Sequence, residues 1–87
     1  MDQAKYIVAE IVSGGVAMET PIIFPSFIAH SDIAQNFRKV ISAGFVQFAP
    51  EKDGNCVDVE AYGESVSLKI KSRPKDTRLI AYSLGLV

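Results

Sequence analysis

The sequence contains only one cysteine and one histidine, and no tryptophan, among its 87 residues. The lone Cys56 cannot form an intrachain disulfide, and it fits a reducing compartment, so we expect a cytoplasmic protein. One cysteine and His30 cannot supply a typical closed zinc site. No glycine-rich pattern opens a helix as a phosphate-binding loop does. We therefore predict no metal ligand, no cofactor and no catalytic residue.

Long apolar runs and a strong net charge are also missing. No apolar run reaches the roughly 18 residues that a membrane span needs, and the start MDQAKYIVAEIV lacks the features of a secretory signal peptide. The net charge is −1, which gives no overall attraction to nucleic acid. The hydrophobic fraction of 48% is typical of a globular chain, and the length predicts one domain over residues 1–87.

The first recognisable element is a β-hairpin. Residues 6–12 are rich in β-branched side chains, and Gly14-Gly15 follows before a second strand-like run. Two adjacent glycines suit a two-residue turn that needs positive φ. The predicted register places Ile11 opposite Met18, Ala9 opposite Thr20 and Ile7 opposite Ile22.

The stretch TPIIFPSFIAH, residues 20–30, is apolar and uncharged but contains two prolines. Proline cannot donate to a sheet ladder, and prolines four residues apart lose their N–H on the same side of a strand. We therefore predict a sheet edge whose apolar side chains are covered by a helix or by a second subunit. The proposed interface residues are Pro21, Ile22, Ile23, Phe24, Pro25, Phe27 and Ile28.

The remaining chain predicts two helices and three strands. A helix over 31–41 is expected because Ser31 can cap it and because Ile33, Phe37 and Val40 fall on one stripe. Strands follow at 45–49, 56–62 and 66–71, and Pro74 and Gly85 frame a second helix within 72–85. The order ββ-α-βββ-α predicts an α+β fold, with an antiparallel sheet of about five strands and two helices that can share one face.

Charge is uneven along the chain, with a sum of −4 over residues 51–64 and +4 over residues 65–87. A hairpin turning at Gly63-Glu64 would pair 56–62 with 66–71, place Asp58 opposite Lys69 and neutralise most of this asymmetry. A nucleic-acid module is therefore a weak alternative. It would use the basic residues Lys69, Lys71, Arg73, Lys75 and Arg78, with Tyr62 and Tyr82 nearby in sequence.

A few residues carry the remaining chemical alternatives. Glu10 and Glu19 face each other in the predicted hairpin register, and His30 precedes a helix start. A pocket formed by these three residues would support small-molecule binding or a small enzyme. The favoured interpretation is a non-catalytic interaction protein that forms a homodimer through residues 21–28.

Overall fold

The computed structural model describes residues 3–50 and 57–86. The elements follow in the order β1 (Gln3–Ser13), β2 (Val16–Pro25), α1 (His30–Ala34), β3 (Val40–Pro50), β4 (Val57–Tyr62), β5 (Glu64–Ser65), β6 (Ile70–Lys71) and α2 (Asp76–Ser83). No helix in these two ranges is long and apolar enough to cross a membrane.

The first hairpin forms in the predicted register. Gly14 and Gly15 have φ values of 58° and 81°, as a type I′ turn requires. Ile11 pairs with Met18, Ala9 with Thr20 and Ile7 with Ile22, so the prediction is confirmed. The glycine pair sets the turn, and the turn sets which side chains reach each face of the sheet.

The main sheet has four antiparallel strands in the order β2-β1-β3-β4, and β5 and β6 form a separate two-stranded sheet. The predicted α+β class with an antiparallel sheet and two helices is therefore correct. The strand count is close to the predicted five, but the six strands are distributed over two sheets instead of one.

Both faces of the main sheet are buried, which explains why β1 reads as a nearly continuous apolar run. Tyr6 and Val8 pack with Ile80 of α2 on one face. Ile7 and Ala9 belong to a second cluster on the other face, where Ile33 of α1 packs. We call these the α2 face and the α1 face. The helices thus cover opposite faces, and the expectation that they share one face was wrong.

The predicted helix over 31–41 was wrong in length. α1 ends at Ala34, and Val40 already belongs to β3. Ser31 does not cap the helix, because the N-cap is Ala29 and makes no side-chain hydrogen bond. Ile33, Phe37 and Val40 all pack against the α1-face cluster. The apolar spacing therefore reflects burial against one core and not one continuous helix. The β-branched residues 40 and 41 form the start of β3.

The predicted strand over 66–71 was also wrong. Residues 66–69 form a turn with Lys69 at a φ of 58°, and only Ile70–Lys71 is strand. β4 pairs with β3, so Asp58 lies opposite Ala49 and not opposite Lys69. The expected neutralisation across a hairpin is therefore absent. At Gly44 in β3, a Cβ would come within 2.4 Å of the Tyr62 carbonyl oxygen, so this close approach requires glycine.

The last helix forms within the predicted range but is shorter. α2 ends in a Schellman motif, in which the Leu86 N–H donates to Ala81 and the Gly85 N–H donates to Tyr82, with Gly85 at a φ of 76°. At the other end the Arg73 N–H donates to the Asp76 carboxylate, as in a capping box. The stop at Gly85 is confirmed, whereas Ser72 is not the N-cap of the helix.

Candidate functional site

The outer edge of β2 carries backbone groups that the fold leaves open. Ser13 and Val16 close the two-residue hairpin, and hydrogen-bonded pairs then alternate along the ladder. Even-numbered residues of β2 therefore bond to β1, and odd-numbered residues point their N–H and C=O groups outward. Pro21 and Pro25 are odd-numbered, so their missing donors fall on the outer side, as an edge strand tolerates.

The two prolines divide this edge into unequal halves. In the proximal half, residues 21–25, only the Ile23 N–H remains as an outward donor. In the distal half, residues 16–20, the Ala17 and Glu19 N–H groups both point outward. Neither amide has a hydrogen-bond partner within residues 3–50 and 57–86. The distal half is thus a short strand edge that is free to pair.

Exposed apolar side chains surround the distal half. Val16 and Met18 are 60% and 61% exposed on the α1 face, where Met18 lies opposite Ile11, which is 37% exposed. Val12 of β1 is 64% exposed and lies on the α2 face, opposite Ala17. Exposed aliphatic side chains that stand together, as Val16 and Met18 do, are usually covered. The open backbone and the exposed apolar surface therefore coincide at the same end of the hairpin.

The predicted interface segment, residues 21–28, is mostly packed within its own chain. Phe24 is buried in the α1-face cluster, and Ile22 and Ile28 pack against it. Ile23 packs on the α2 face. Pro21 is half-buried, Pro25 is exposed, and Phe27 is 87% exposed. Among these side chains, Phe27 offers by far the largest accessible apolar surface to a partner.

Glu10 and Glu19 lie opposite each other, as the hairpin register predicted. Each has its own cation: the Glu10 carboxylate is 3.4 Å from Lys39 Nζ, and the Glu19 carboxylate is 3.0 Å from Arg73 and 3.7 Å from Lys75. The hydrogen bond from Arg73 is the main reason that the pKa of Glu19 lies below its usual value. These ion pairs offset the repulsion that facing carboxylates would otherwise cause.

A buried polar cluster fixes α2 to the sheet. The Tyr6 hydroxyl donates to Asp76 Oδ2 at 2.6 Å, and the backbone N–H and Nε of Arg73 donate to the same carboxylate at 2.9 Å each. Burial alone would raise the pKa of Asp76, but these hydrogen bonds outweigh it and the pKa is lowered. Burial and the Asp76 charge raise the pKa of Tyr6. This donor set therefore serves to anchor the helix.

Ser42 completes the surroundings of the Asp76 carboxylate. It is fully buried and contributes to the lowered pKa of Asp76. Its Oγ nevertheless makes no hydrogen bond of acceptable geometry within the described ranges. Ser42 is therefore an exception among buried polar groups, which are normally hydrogen-bonded.

His30 is buried on the α1 face. Its Nε2 lies 2.8 Å from the Gly44 carbonyl oxygen, and because a carbonyl only accepts, Nε2 carries the proton. The ring packs edge-on between Phe24 and Phe45, at centroid distances of 5.6 and 5.7 Å. Burial lowers the pKa of His30, and the nearby Lys5 lowers it further. His30 is thus a neutral core side chain.

His30 does not share a site with Glu10 and Glu19. Glu19 reaches Arg73 and Lys75 beside α2, so the two glutamates lie on the α2 face, whereas His30 lies on the α1 face. Gly44 pairs with Tyr6, four residues before Glu10, which is roughly 13 Å along the strand. The structure does not bring the three residues into one pocket. Within the described residues, no group of three His, Cys, Asp or Glu side chains is placed to hold a metal ion.

The basic residues predicted for nucleic acid are not equivalent. Arg73 and Lys75 form ion pairs with Glu19, and Arg73 also pairs with Asp76. Lys69 and Lys71 belong to the β5–β6 region, and Arg78 lies on α2. Two of the five cations are thus paired with carboxylates of the chain itself, which reduces the positive charge that the set offers to a phosphate backbone.

The opposite edge of the sheet, strand β4, is closed by side chains. The outward Ala61 N–H donates to Thr77 Oγ1 of α2 at 3.0 Å, and the Val59 N–H donates to Asp58 Oδ1 at 3.1 Å. Sequence reasoning missed both caps and the Tyr6–Asp76 bond. The Thr77 cap and the Tyr6–Asp76 bond depend on where α2 lies. Cys56 falls outside the described residues.

Comparison with known proteins identifies no relative: no family model, no curated protein and no solved structure matches this chain.

Proposed function

We propose that this protein is a non-catalytic interaction domain that works in the cytoplasm as a homodimer, joined along the outer edge of β2. The observation that carries the proposal is the unpaired backbone of the distal half, residues 16–20, beside the exposed Val12, Val16 and Met18. A strand edge with open donors is completed most directly by another strand. A second copy supplies an identical strand, and two-fold contacts are the commonest arrangement of oligomers.

The prolines and the charges favour one register. With Met18 on the two-fold axis, Ala17 lies opposite Glu19 of the second copy, and Glu19 lies opposite the second copy's Ala17. All four residues point their backbone groups outward, so the two strands exchange four hydrogen bonds. The pairing stops where Pro21 meets Gly15, because proline has no N–H to donate.

Moving the axis by one residue is unfavourable. With Glu19 on the axis, two carboxylates face each other directly, and Ala17 meets Pro21, which cannot donate. With Ala17 on the axis, Glu19 lies opposite Gly15, which belongs to the turn. The Met18 register is therefore the one that separates the carboxylates and uses every open donor of the distal half.

The segment 21–28 takes a secondary part in this proposal. Ile22, Ile23, Phe24 and Ile28 are needed by the chain's own cores, so Pro21 marks the end of the contact, and Pro25 and the exposed Phe27 lie beyond it. An edge of five residues buries a small area, so we expect a dimer that dissociates on dilution.

Sedimentation velocity over a range of concentrations tests the proposal. The wild type should shift from monomer to dimer as concentration rises. Ala17→Pro removes one outward N–H at an odd-numbered position of β2, as Pro21 and Pro25 already do. This variant should therefore stay folded and remain monomeric. Met18→Lys, which leaves the backbone intact, should also be monomeric because two ammonium groups would meet on the axis.

Two results would contradict the proposal. One is a wild type that sediments as a monomer at every concentration. The other is a dimer that Met18→Lys and a folded Ala17→Pro leave as tight as the wild type, since that dimer would use another surface. Val66→Lys adds the same charge at an exposed residue outside the edge, and it should dimerise like the wild type.

A further inference from the structure

An open groove of about 790 Å³ runs along α2, on a surface that the proposed dimer does not use. Among the described residues, its lining is formed by Pro74, Lys75, Arg78, Leu79 and Tyr82. This volume falls within the range of roughly 300–1,000 Å³ that is typical of small-molecule sites. The groove is therefore large enough for an organic ligand of moderate size.

The apolar part of the groove comes from three side chains. Leu79 is half-buried against the α2-face cluster, which fixes its position. Pro74 is exposed, and the Tyr82 side chain is 72% exposed although it lies on a helix that packs against the sheet. An accessible tyrosine ring beside an aliphatic side chain provides a surface for an acyl chain or an aromatic ring.

The polar part of the groove is cationic. Lys75 and Arg78 stand three residues apart near the start of α2, so their side chains are neighbours, and like charges at this spacing are mildly destabilising. Lys75 is only 3.7 Å from Glu19, but Arg78 has no ion pair within residues 3–50 and 57–86. The nearby Asp76 carboxylate is buried beneath the helix and is occupied by Tyr6 and Arg73.

From this arrangement we infer that the α2 groove binds an amphipathic organic anion. The apolar body of the ligand lies against Pro74, Leu79 and Tyr82, and its carboxylate or sulfonate lies between Lys75 and Arg78. Charge complementarity selects the anion, because Arg78 has no ion pair among the described residues, and the Lys75 side chain is 64% exposed and only 3.7 Å from a Glu19 carboxylate that Arg73 holds at 3.0 Å. The inference is independent of the dimer, whose contact lies on the edge of the sheet.

An NMR titration of the ¹⁵N-labelled protein tests this inference, with octanoate as the probe and 1-octanol as its uncharged analogue. Octanoate should produce saturable shifts that are concentrated at residues 74–82. The double variant Lys75→Gln with Arg78→Gln should bind octanoate about fivefold to tenfold more weakly, since two exposed ion pairs are lost. Its binding of 1-octanol should change little.

The charge-matched control is Lys69→Gln with Lys71→Gln, which removes two cations from the β5–β6 region and should leave octanoate binding unchanged. The single variant Arg78→Gln should give an intermediate affinity, and it avoids disturbing the Lys75–Glu19 pair. Octanoate shifts that do not saturate, or that spread over the whole chain, overturn the inference. Unchanged octanoate binding by the Lys75 and Arg78 double variant also overturns it.

Discussion

The two edges of the main sheet are finished in different ways. On β4, the outward amides of Val59 and Ala61 donate to Asp58 and to Thr77, and α2 lies alongside. On β2, two prolines remove outward donors from the proximal half, while Ala17 and Glu19 keep theirs in the distal half. One edge is closed by hydrogen bonds, and the other is closed by proline over only part of its length.

This difference indicates that only the distal half of β2 is left unprotected against pairing with another strand. An edge strand invites pairing, and proteins commonly prevent it with prolines, charges or a covering element. Here the proximal half has prolines, and β4 has side-chain acceptors. The distal half has neither, and it adds exposed apolar side chains at Val16 and Met18. The part of the sheet that remains able to pair is thus confined to about five residues.

The largest expected effect comes from detaching the helix that covers β4. Asp76→Ala leaves the buried Tyr6 hydroxyl without an acceptor and removes one partner of Arg73. We expect the free energy of unfolding to fall by about 3 kcal/mol or more, as when one member of a buried pair is deleted. Urea denaturation at neutral pH measures this change.

Asp32→Ala serves as the matched control for that experiment, because Asp32 is exposed on α1 and should cost far less. A loss for Asp76→Ala no larger than that of the control would mean that the buried cluster does not hold α2 on the sheet.

A smaller effect is expected when one cap on β4 is removed. Thr77→Val keeps the shape of the side chain but leaves the Ala61 N–H without its acceptor. Stability should fall by about 1 kcal/mol, and the Ala61 amide should exchange its hydrogen faster than in the wild type. An unchanged exchange rate at Ala61 would show that the helix position alone shields this edge.

The smallest effect is expected from titration of His30, which packs against the proximal half of β2 through Phe24. Its pKa is lowered in the folded chain, so the unfolded chain binds the proton more readily. Stability is therefore full above the unfolded value of about 6.5 and falls as the pH drops below it. His30 is the only histidine, which makes the range between pH 7.5 and 5.5 diagnostic.

Urea midpoints at these two pH values measure the effect, and the midpoint should be lower at the acidic one. His30→Gln should remove most of the difference. A wild-type midpoint that stays constant, or rises towards acid, would contradict the burial of His30 as a neutral side chain.

The elements that sequence reasoning predicted well are those that local chemistry determines. Gly14-Gly15 requires a tight turn, which fixes the register from Ile7 to Ile22. The prolines at 21 and 25 indicated an edge strand, and β2 does lie at the edge. Gly85 indicated the end of α2, and a Schellman motif forms there. In each case the backbone properties of one or two residues restrict the local structure that the chain can form.

The errors arose where a regular spacing of apolar residues was taken as the periodicity of a single helix or strand. Ile33, Phe37 and Val40 have helical spacing, yet they reach one cluster from a helix, a turn and a strand. Residues 66–71 alternate like a strand, but β4 had a longer partner in β3, and Val66 remains exposed. The Thr77 cap on Ala61 depends on a contact between a strand and the later helix α2, so local patterns contain no signal for it.

The central claim is that the distal half of β2 pairs with a second copy, and amide hydrogen exchange tests it most directly. The Ala17 and Glu19 amides should gain protection as protein concentration rises, while the Val59 and Ala61 amides should be protected equally at every concentration. If Ala17 and Glu19 exchange at the rate of unprotected amides even in concentrated samples, the second copy does not pair with this edge.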